Sequence, residues 1–285
     1  MSAALLPDGT RVAEVALTVR DLERALAFYQ QALGLHLLER APAGASLGSG
    51  RNPFLHLVED PAAEPSGGRA RLYHFAILFP SRPALALALS RVLQARWLLG
   101  GAADHLVSEA LYLADPEGNG IELYRDRPEE EWTRVDGRIR MDTLPLDMED
   151  LLGELPVPEG SRNGVSAATR MGHVHLHVRD LGEAEQFYRE VVGLELKERF
   201  GSSASFLAAG SYHHHLGINT WGTAGAARAL EGAQGLRWYR LRLPEKQALD
   251  ALARRLEAGK VRFEREGDEL SFRDPSGHRV KVDAG

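Results

Sequence analysis

Histidine carries most of the chemistry this sequence offers. Eleven occur in 285 residues, several of them clustered. His74 lies in R-L-Y-H-F-A-I-L-F-P, His173, His175 and His177 alternate through G-H-V-H-L-H-V, and His213, His214 and His215 are consecutive. His105 stands in D-H-L-V-S, followed by Tyr112 and Glu122 in E-A-L-Y-L-A-D-P-E-G-N-G-I-E-L-Y. Imidazole and carboxylate are ligands of divalent metals, and two histidines with one carboxylate make the facial set of non-haem iron(II) oxygenases. Imidazole also titrates near neutral pH, which suits it to general acid–base work. Each histidine has a plainer reading, since a lone His on a strand is more often structural than a ligand. Glu122 alone would be a solvent-facing residue of a half-exposed strand. Cysteine is absent, which excludes disulfides and thiolate metal sites.

The elements that must position these residues come next. Residues 109–124 read as strand, tight turn, strand. Pro116 fixes φ in the turn, and Gly118, Asn119 and Gly120 tolerate positive φ. Alternation in I-E-L-Y then places Glu122 and Tyr124 on one face. The frame returns as D-P-S-G-H-R-V-K-V at 274–282, with Lys281 in the place of Glu122. A longer repeat relates 12–40 to 172–199: aligned on V-R-D-L, the two stretches share Phe-Tyr, Gly-Leu and Glu-Arg at an offset of 159 residues. In each, an alternating strand leads to a helix capped by Asp21 or Asp180 and ended by Gly34 or Gly193. Further strands are expected at 54–59, 204–208 and 213–220; in the last, His213 and His215 would share one face and His214 take the other. A second kind of unit follows each: strand 71–80, helix 84–94 and strands within 109–124, matched by 235–244, 245–258 and 269–282. The chain thus reads as α+β, with four βαβββ modules. Modules one and two would make a first concave mixed-sheet domain over 10–127, and modules three and four a second over 169–285. The acidic, proline-bearing stretch 128–168 would link them, with a short helix near 148–155.

Composition sets the outer bounds. The length suits two domains of ordinary size. An apolar fraction of 44% and a charged fraction of 26% are those of a globular protein. A net charge of −6 argues against nucleic-acid or anionic-membrane partners. No apolar run approaches the roughly 18 residues of a membrane span, and the N-terminus lacks a signal-peptide pattern. The expected location is cytoplasmic. Homo-oligomerisation is left open.

The repeated H-V-x-L-x-V-x-D-L…F-Y…G-L opening and D-P-x-G-N-x-I-E-L close resemble the vicinal oxygen chelate superfamily, which includes glyoxalase, bleomycin-resistance proteins and extradiol dioxygenases. The stretches L-Y-H-F-A-I-L, D-H-L-V-S-E-A-L-Y-L-A-D-P-E-G-N-G-I-E-L-Y, G-H-V-H-L-H-V-R-D-L and S-Y-H-H-H-L-G-I-N-T-W are similar to the bacterial two-domain catechol 2,3-dioxygenase group. The resemblance implies metal ligands on the first and last strands of a module. First-strand candidates are then Glu14, His74, His173 and Trp238. Last-strand candidates are Glu122 and Lys281, with His213–215 in module three and only His56 in module one. Modules one and two would combine Glu14, His74 and Glu122; modules three and four offer His173, Trp238 and Lys281, which make no metal site. Modules two and three give His74, His173 and Glu122, the oxygenase set, and this is the expected metal site. His175 and His177 compete with His173 by parity.

The resemblance further implies an active-site tyrosine at Tyr112, an oxygen-pocket histidine at His105, and an acid–base residue among His213, His214 and His215, with His214 or His215 favoured. The implied cofactor is iron(II), with manganese(II) suited to the same donors. The implied partners are a catechol and dioxygen, and the product is a muconic semialdehyde. Two alternatives have different signatures. A glyoxalase-like lyase or isomerase would bring Glu14 to the metal, and a resistance-type binding protein would need no ligands at all.

Overall fold

The computed structural model describes residues 5–135, 138–155 and 164–285. Module one runs β1 (Arg11–Val19), α1 (Leu22–Gln31), β2 (His36–Ala41), β3 (Gly44–Ser49) and β4 (Asn52–Glu59). Module two is β5 (Arg71–Leu78), α2 (Arg82–Gln94), β6 (Leu99–Asp104), β7 (Ser108–Ala114) and β8 (Gly120–Asp126). A connecting stretch holds three two-residue strands, β9 (Arg134–Val135), β10 (Arg138–Ile139) and β11 (Leu144–Pro145), and the short α3 (Met148–Gly153). Part of the 128–168 linker, at 136–137 and 156–163, lies outside the described residues. Module three is β12 (Arg170–His177), α4 (Leu181–Gln186), β13 (Glu195–Phe200), β14 (Ala204–Ala208) and β15 (Leu216–Asn219). Module four is β16 (Gly235–Leu243), α5 (Lys246–Ala258), β17 (Phe263–Glu266), β18 (Glu269–Arg273) and β19 (Arg279–Ala284).

Local chemistry explains these boundaries. Asp21 accepts from the Arg24 N–H and Asp180 from the Glu183 N–H, both at 2.9 Å, so each caps the helix that follows V-R-D-L. Gly34 (φ +75°) and Gly193 (φ +93°) take the left-handed conformation that ends the helical segment. In module three a π-turn over Phe187–Val192 precedes Gly193. The expected strand at 213–220 begins only at Leu216. Gly210 (φ +61°) turns the chain, and the Ala209 N–H donates to His215 Nδ1 at 3.2 Å, so the three histidines lie in a folded loop and do not alternate across a sheet.

Two compact units divide the chain: Met1–Thr18, Ala63–Tyr73 and Gly172–Gly285 form one, Val19–Ala62 and His74–Met171 the other. In the second unit the strand order is β11-β6-β7-β8-β5, with β5 and β8 parallel, and β4-β3-β2. The first unit contains β12-β15-β14-β13, with β12 and β15 parallel, and β17-β18-β19-β16-β1. There β1 pairs antiparallel with β16 and β16 runs parallel to β19. Each unit is therefore α+β with mixed sheets and few helices. The same buried bond recurs in both: Tyr29 Oη donates to Asp115 Oδ2 at 2.8 Å, and Tyr188 Oη to Asp274 Oδ2 at 2.9 Å, each across 86 residues. The Phe-Tyr of one module thus holds the Asp-Pro turn of the next. Burial, then the neighbouring aspartate, pushes both phenols well up, so each stays a neutral donor. Among the described residues, no helix is long and apolar enough to cross a membrane.

Candidate metal centre and catalytic residues

The turn after β7 sets the position of Glu122. The Asp115 carboxylate accepts from the Glu117 and Asn119 N–H groups at 2.9 Å and from Asn119 Nδ2 at 2.8 Å, in addition to Tyr29. Gly118 supplies positive φ (+86°). β8 therefore starts at Gly120 in a fixed register: His74 opposite Gly120, Ala76 opposite Glu122, and Tyr112 opposite Glu122 on the other side. With a side-chain period of two, His74, Glu122, Tyr112 and Tyr124 share one face. The opposite face carries buried Phe75, Ile77, Ile121 and Leu123. His74 Nε2 lies 3.1 Å from Glu122 Oε2, and both residues are buried, at 7% and 4% exposure.

Tyr112 and His105 form a dyad beside this pair. His105 Nε2 is 2.6 Å from Tyr112 Oη, and His105 Nδ1 is 2.7 Å from the Asp142 carbonyl. A carbonyl only accepts, so Nδ1 carries the proton and Nε2 accepts from the phenol. β11 pairs with the edge of β6, Leu144 opposite Asp104, which brings the Asp142 carbonyl to the ring. The Tyr112 ring lies 5.9 Å from His74.

β12 presents His173, His175 and His177 on one face, all buried. The two competitors of His173 are engaged by Asn219. Its Nδ2 donates to His175 Nε2 at 2.9 Å, and its Oδ1 accepts from His177 Nδ1 at 2.7 Å and from the Trp221 N–H at 3.0 Å. Gly217 lies opposite His175, where an added Cβ would come within 2.7 Å of the imidazole, so the position has to be glycine. Tyr73 packs edge-on to His175 and Trp221. His173 instead packs against His214, with ring centroids 4.2 Å apart. His213 Nδ1 lies 2.8 Å from His214 Nδ1, while His213 and His215 both pack on Tyr212. His214 thus links the histidine cluster to His173. His74 and Glu122 in one unit and His173 in the other are all buried. Two imidazoles and one carboxylate are a donor set that fits a divalent metal.

The equivalent positions of the other repeat hold different chemistry. Tyr239 pairs with Val280 as Phe75 pairs with Ile121, so Trp238 and Lys281 stand where His74 and Glu122 do. Lys281 Nζ bonds Glu269 at 2.7 Å and sits 5.1 Å from the Trp238 ring centre. Arg240 bonds Glu269 (2.6 Å) and Asp283 (2.9 Å), and Arg242 bonds Asp283 (2.8 Å) and Glu14 (3.1 Å). Glu14, the candidate for a carboxylate-rich site, is thus an ion-pair partner. Sequence reasoning did not single out Asn219, Tyr73, Trp221 or the Asp142 carbonyl. Asn219 could have been found in the strand-ending I-N-T-W; a backbone carbonyl leaves no signal.

A curled mixed sheet built twice, with histidine and carboxylate gathered on one face, defines a class. The chain belongs to the glyoxalase/bleomycin resistance protein/dioxygenase superfamily, whose model matches residues 11–123 and 170–282. A catechol-2,3-dioxygenase of Bacillus subtilis (strain 168) is 39% identical over 273 residues, covering 94% of this chain and 95% of that protein. Among solved structures the fold is shared with a protein of Bacillus subtilis subsp. subtilis str. 168 named only provisionally as a dioxygenase (TM-score 0.67, 13% identity, 99% of this chain and 86% of that one). It is shared also with glyoxalase I from Zea mays (TM-score 0.60, 16% identity, 96% and 92%).

Proposed function

We propose that this protein is an extradiol dioxygenase that opens the ring of catechol, or a substituted catechol, beside the diol to give a muconic semialdehyde. The observation that carries this reading is the buried His74–Glu122 pair, 3.1 Å apart, in a chain 39% identical to a catechol-2,3-dioxygenase; we propose that His173 completes the ligand set. These residues would hold iron(II) or manganese(II). Bound there, the metal supplies Lewis acidity that lowers the pKa of a chelating diol, and coordination positions for the diol and dioxygen. Two neutral imidazoles and one carboxylate leave the site a net charge of about +1, which favours a deprotonated diol.

The chain's own residues supply the rest. His214, against His173, is placed to take a proton from the substrate hydroxyl and later return it. Its Nδ1 lies 2.8 Å from His213 Nδ1, a contact that orients the ring. Tyr112, a neutral phenol whose proton points to His105 Nε2, offers an oxygen lone pair to a substrate hydroxyl. Ala76, Leu78, Ala110 and Tyr124 pack as an apolar cluster with Tyr112 against it, which limits water on this side. The net charge of −6 supports catechol and dioxygen as partners over nucleic acid or an anionic membrane surface, and the proposed location is the cytoplasm.

Metal stoichiometry and oxygen uptake test the proposal together. The wild type should bind one metal per chain and consume oxygen with catechol. His74→Ala, Glu122→Gln and His173→Ala should each lose both properties. Full metal occupancy in His173→Ala would overturn the ligand set, and metal binding without catechol-dependent oxygen uptake would overturn the reaction.

A further inference from the structure

We propose a second small-molecule site, for an aromatic carboxylate, in a groove between the first helical segment of module three and the corner that follows α5. Comparison of the two copies of one structural corner motivates it. Arg96-Trp97-Leu98 follows α2, and Lys260-Val261-Arg262 follows α5. Arg96 and Lys260 both have φ +53°, and the Trp97 and Val261 N–H groups both close on the carbonyl five residues back, Val92 and Leu256. The next strands keep the register, Leu99 opposite Leu113 and Phe263 opposite Phe272. Trp97 and Val261 are therefore equivalent positions.

In module two the Trp97 indole fills this corner. Its ring packs on Phe28 at 4.6 Å, and its Nε1–H donates to the Ala114 carbonyl at 2.8 Å. The equivalents of Phe28 and Ala114 are Phe187 and Arg273. In module four Val261 leaves the space over Phe187 open. A groove of about 620 Å³ is found there, with Phe187, Val261, Phe263 and Phe272 in its wall. The position equivalent to the Trp97 indole is thus open to a fused aromatic ring, and the Arg273 carbonyl, equivalent to that of Ala114, is the acceptor that an N–H on such a ring would meet.

Charge selects the rest of the ligand. Arg228, Lys260 and Arg262 line the groove and make no ion pair with a described residue. Arg273 and Arg279, also in the lining, share Glu231 at 2.8 and 2.7 Å. Of the carboxylates in the lining, Asp274 is buried and bonded to Tyr188 and His278, leaving Glu183 and Glu264 at the rim. The cationic excess favours an anion, and guanidinium suits a carboxylate's two oxygens. In module two, Leu98 stands in the place of Arg262, so the open space and the cation arise at adjacent positions of the same copy. The site owes nothing to the metal ligands or to the proposed reaction.

Indole-3-acetate is the test ligand, titrated calorimetrically into the full-length metal-loaded protein. Val261→Trp, which restores the ring found in module two, should weaken binding at least tenfold, with oxygen uptake on catechol unchanged. Lys260→Ala/Arg262→Ala should weaken indole-3-acetate at least fivefold and leave the neutral indole-3-acetamide within twofold of its wild-type affinity. Should Val261→Trp fail to fold, Val261→Phe blocks the same space and the charge variant stands alone. Absence of binding at millimolar ligand, affinity unchanged in the Val261 variant, or equal affinity for acid and amide would each overturn the proposal.

Discussion

His214→Ala should retain its metal and fall in catechol turnover by roughly 10²–10⁴-fold, the range for removing a positioned acid–base group. The same change at His215, whose Nδ1 is tied to the Ala209 N–H, should act mainly through folding stability, so urea denaturation separates the two. His74 and Glu122 were legible as a pair because strand alternation and the D-P-E-G-N-G turn fix their faces without reference to the rest of the chain. The clustered histidines were not, because a strand was expected from His213 and the chain enters one only at Leu216, and period-two parity has no meaning in the loop before it. Asn219 escaped notice because its role depends on two histidines 42 and 44 residues away.

At the scale of elements, the Tyr29–Asp115 and Tyr188–Asp274 bonds tie each first helix to the turn that follows β7 or β18. Tyr29→Phe leaves a buried carboxylate short of one donor and should lower unfolding free energy by about 1–3 kcal/mol, read by chemical denaturation. A shift in β8 that accompanies the loss should also loosen Glu122. Glu185, at the start of module three, behaves differently. Its hydrogen bond from Arg199, which outweighs burial, holds the carboxyl below its usual range, with Ser205 assisting. The unfolded chain then takes up that proton at higher pH than the folded one. The stabilisation is complete above the ordinary glutamate pKa of about 4.3 and is lost as pH falls through the depressed native value. Melting temperature against pH should fall less steeply below pH 4 in Glu185→Gln than in the wild type. Strand and helix order was readable from the repeat. Less so were the π-turn at Phe187–Val192 and the docking of β11 on β6, which depend on contacts that local pattern does not encode.

For the molecule as a whole, metal bound at the proposed site stabilises the fold by mass action, about 2.7 kcal/mol when free metal is 100 times its Kd. Chelation should therefore lower the melting temperature, and the shift should vanish in Glu122→Gln. Lys281→Ala should leave metal content intact and catechol turnover within a few-fold, since that position holds an ion pair with Glu269 in place of a ligand. Asp283 and Glu269 in the same network sit below the usual carboxylate range although burial alone would raise them, because Arg242, Arg240 and Lys281 outweigh it. Module two carries imidazole and carboxylate at these positions and module four an ion-pair network, which the sequence already signalled by placing Lys281 where Glu122 had been.

The Tyr–Asp bond bears on ancestry. It joins consecutive modules, and it spans 86 residues in both halves of the chain. Had single modules been copied in succession, two such bonds of identical reach would have to arise separately. One duplication of an ancestor that already carried two modules, bond included, accounts for both at once. Descendants of that event were then free to diverge wherever the bond did not depend on them, and the ligand positions of the later copy are among the places where they did.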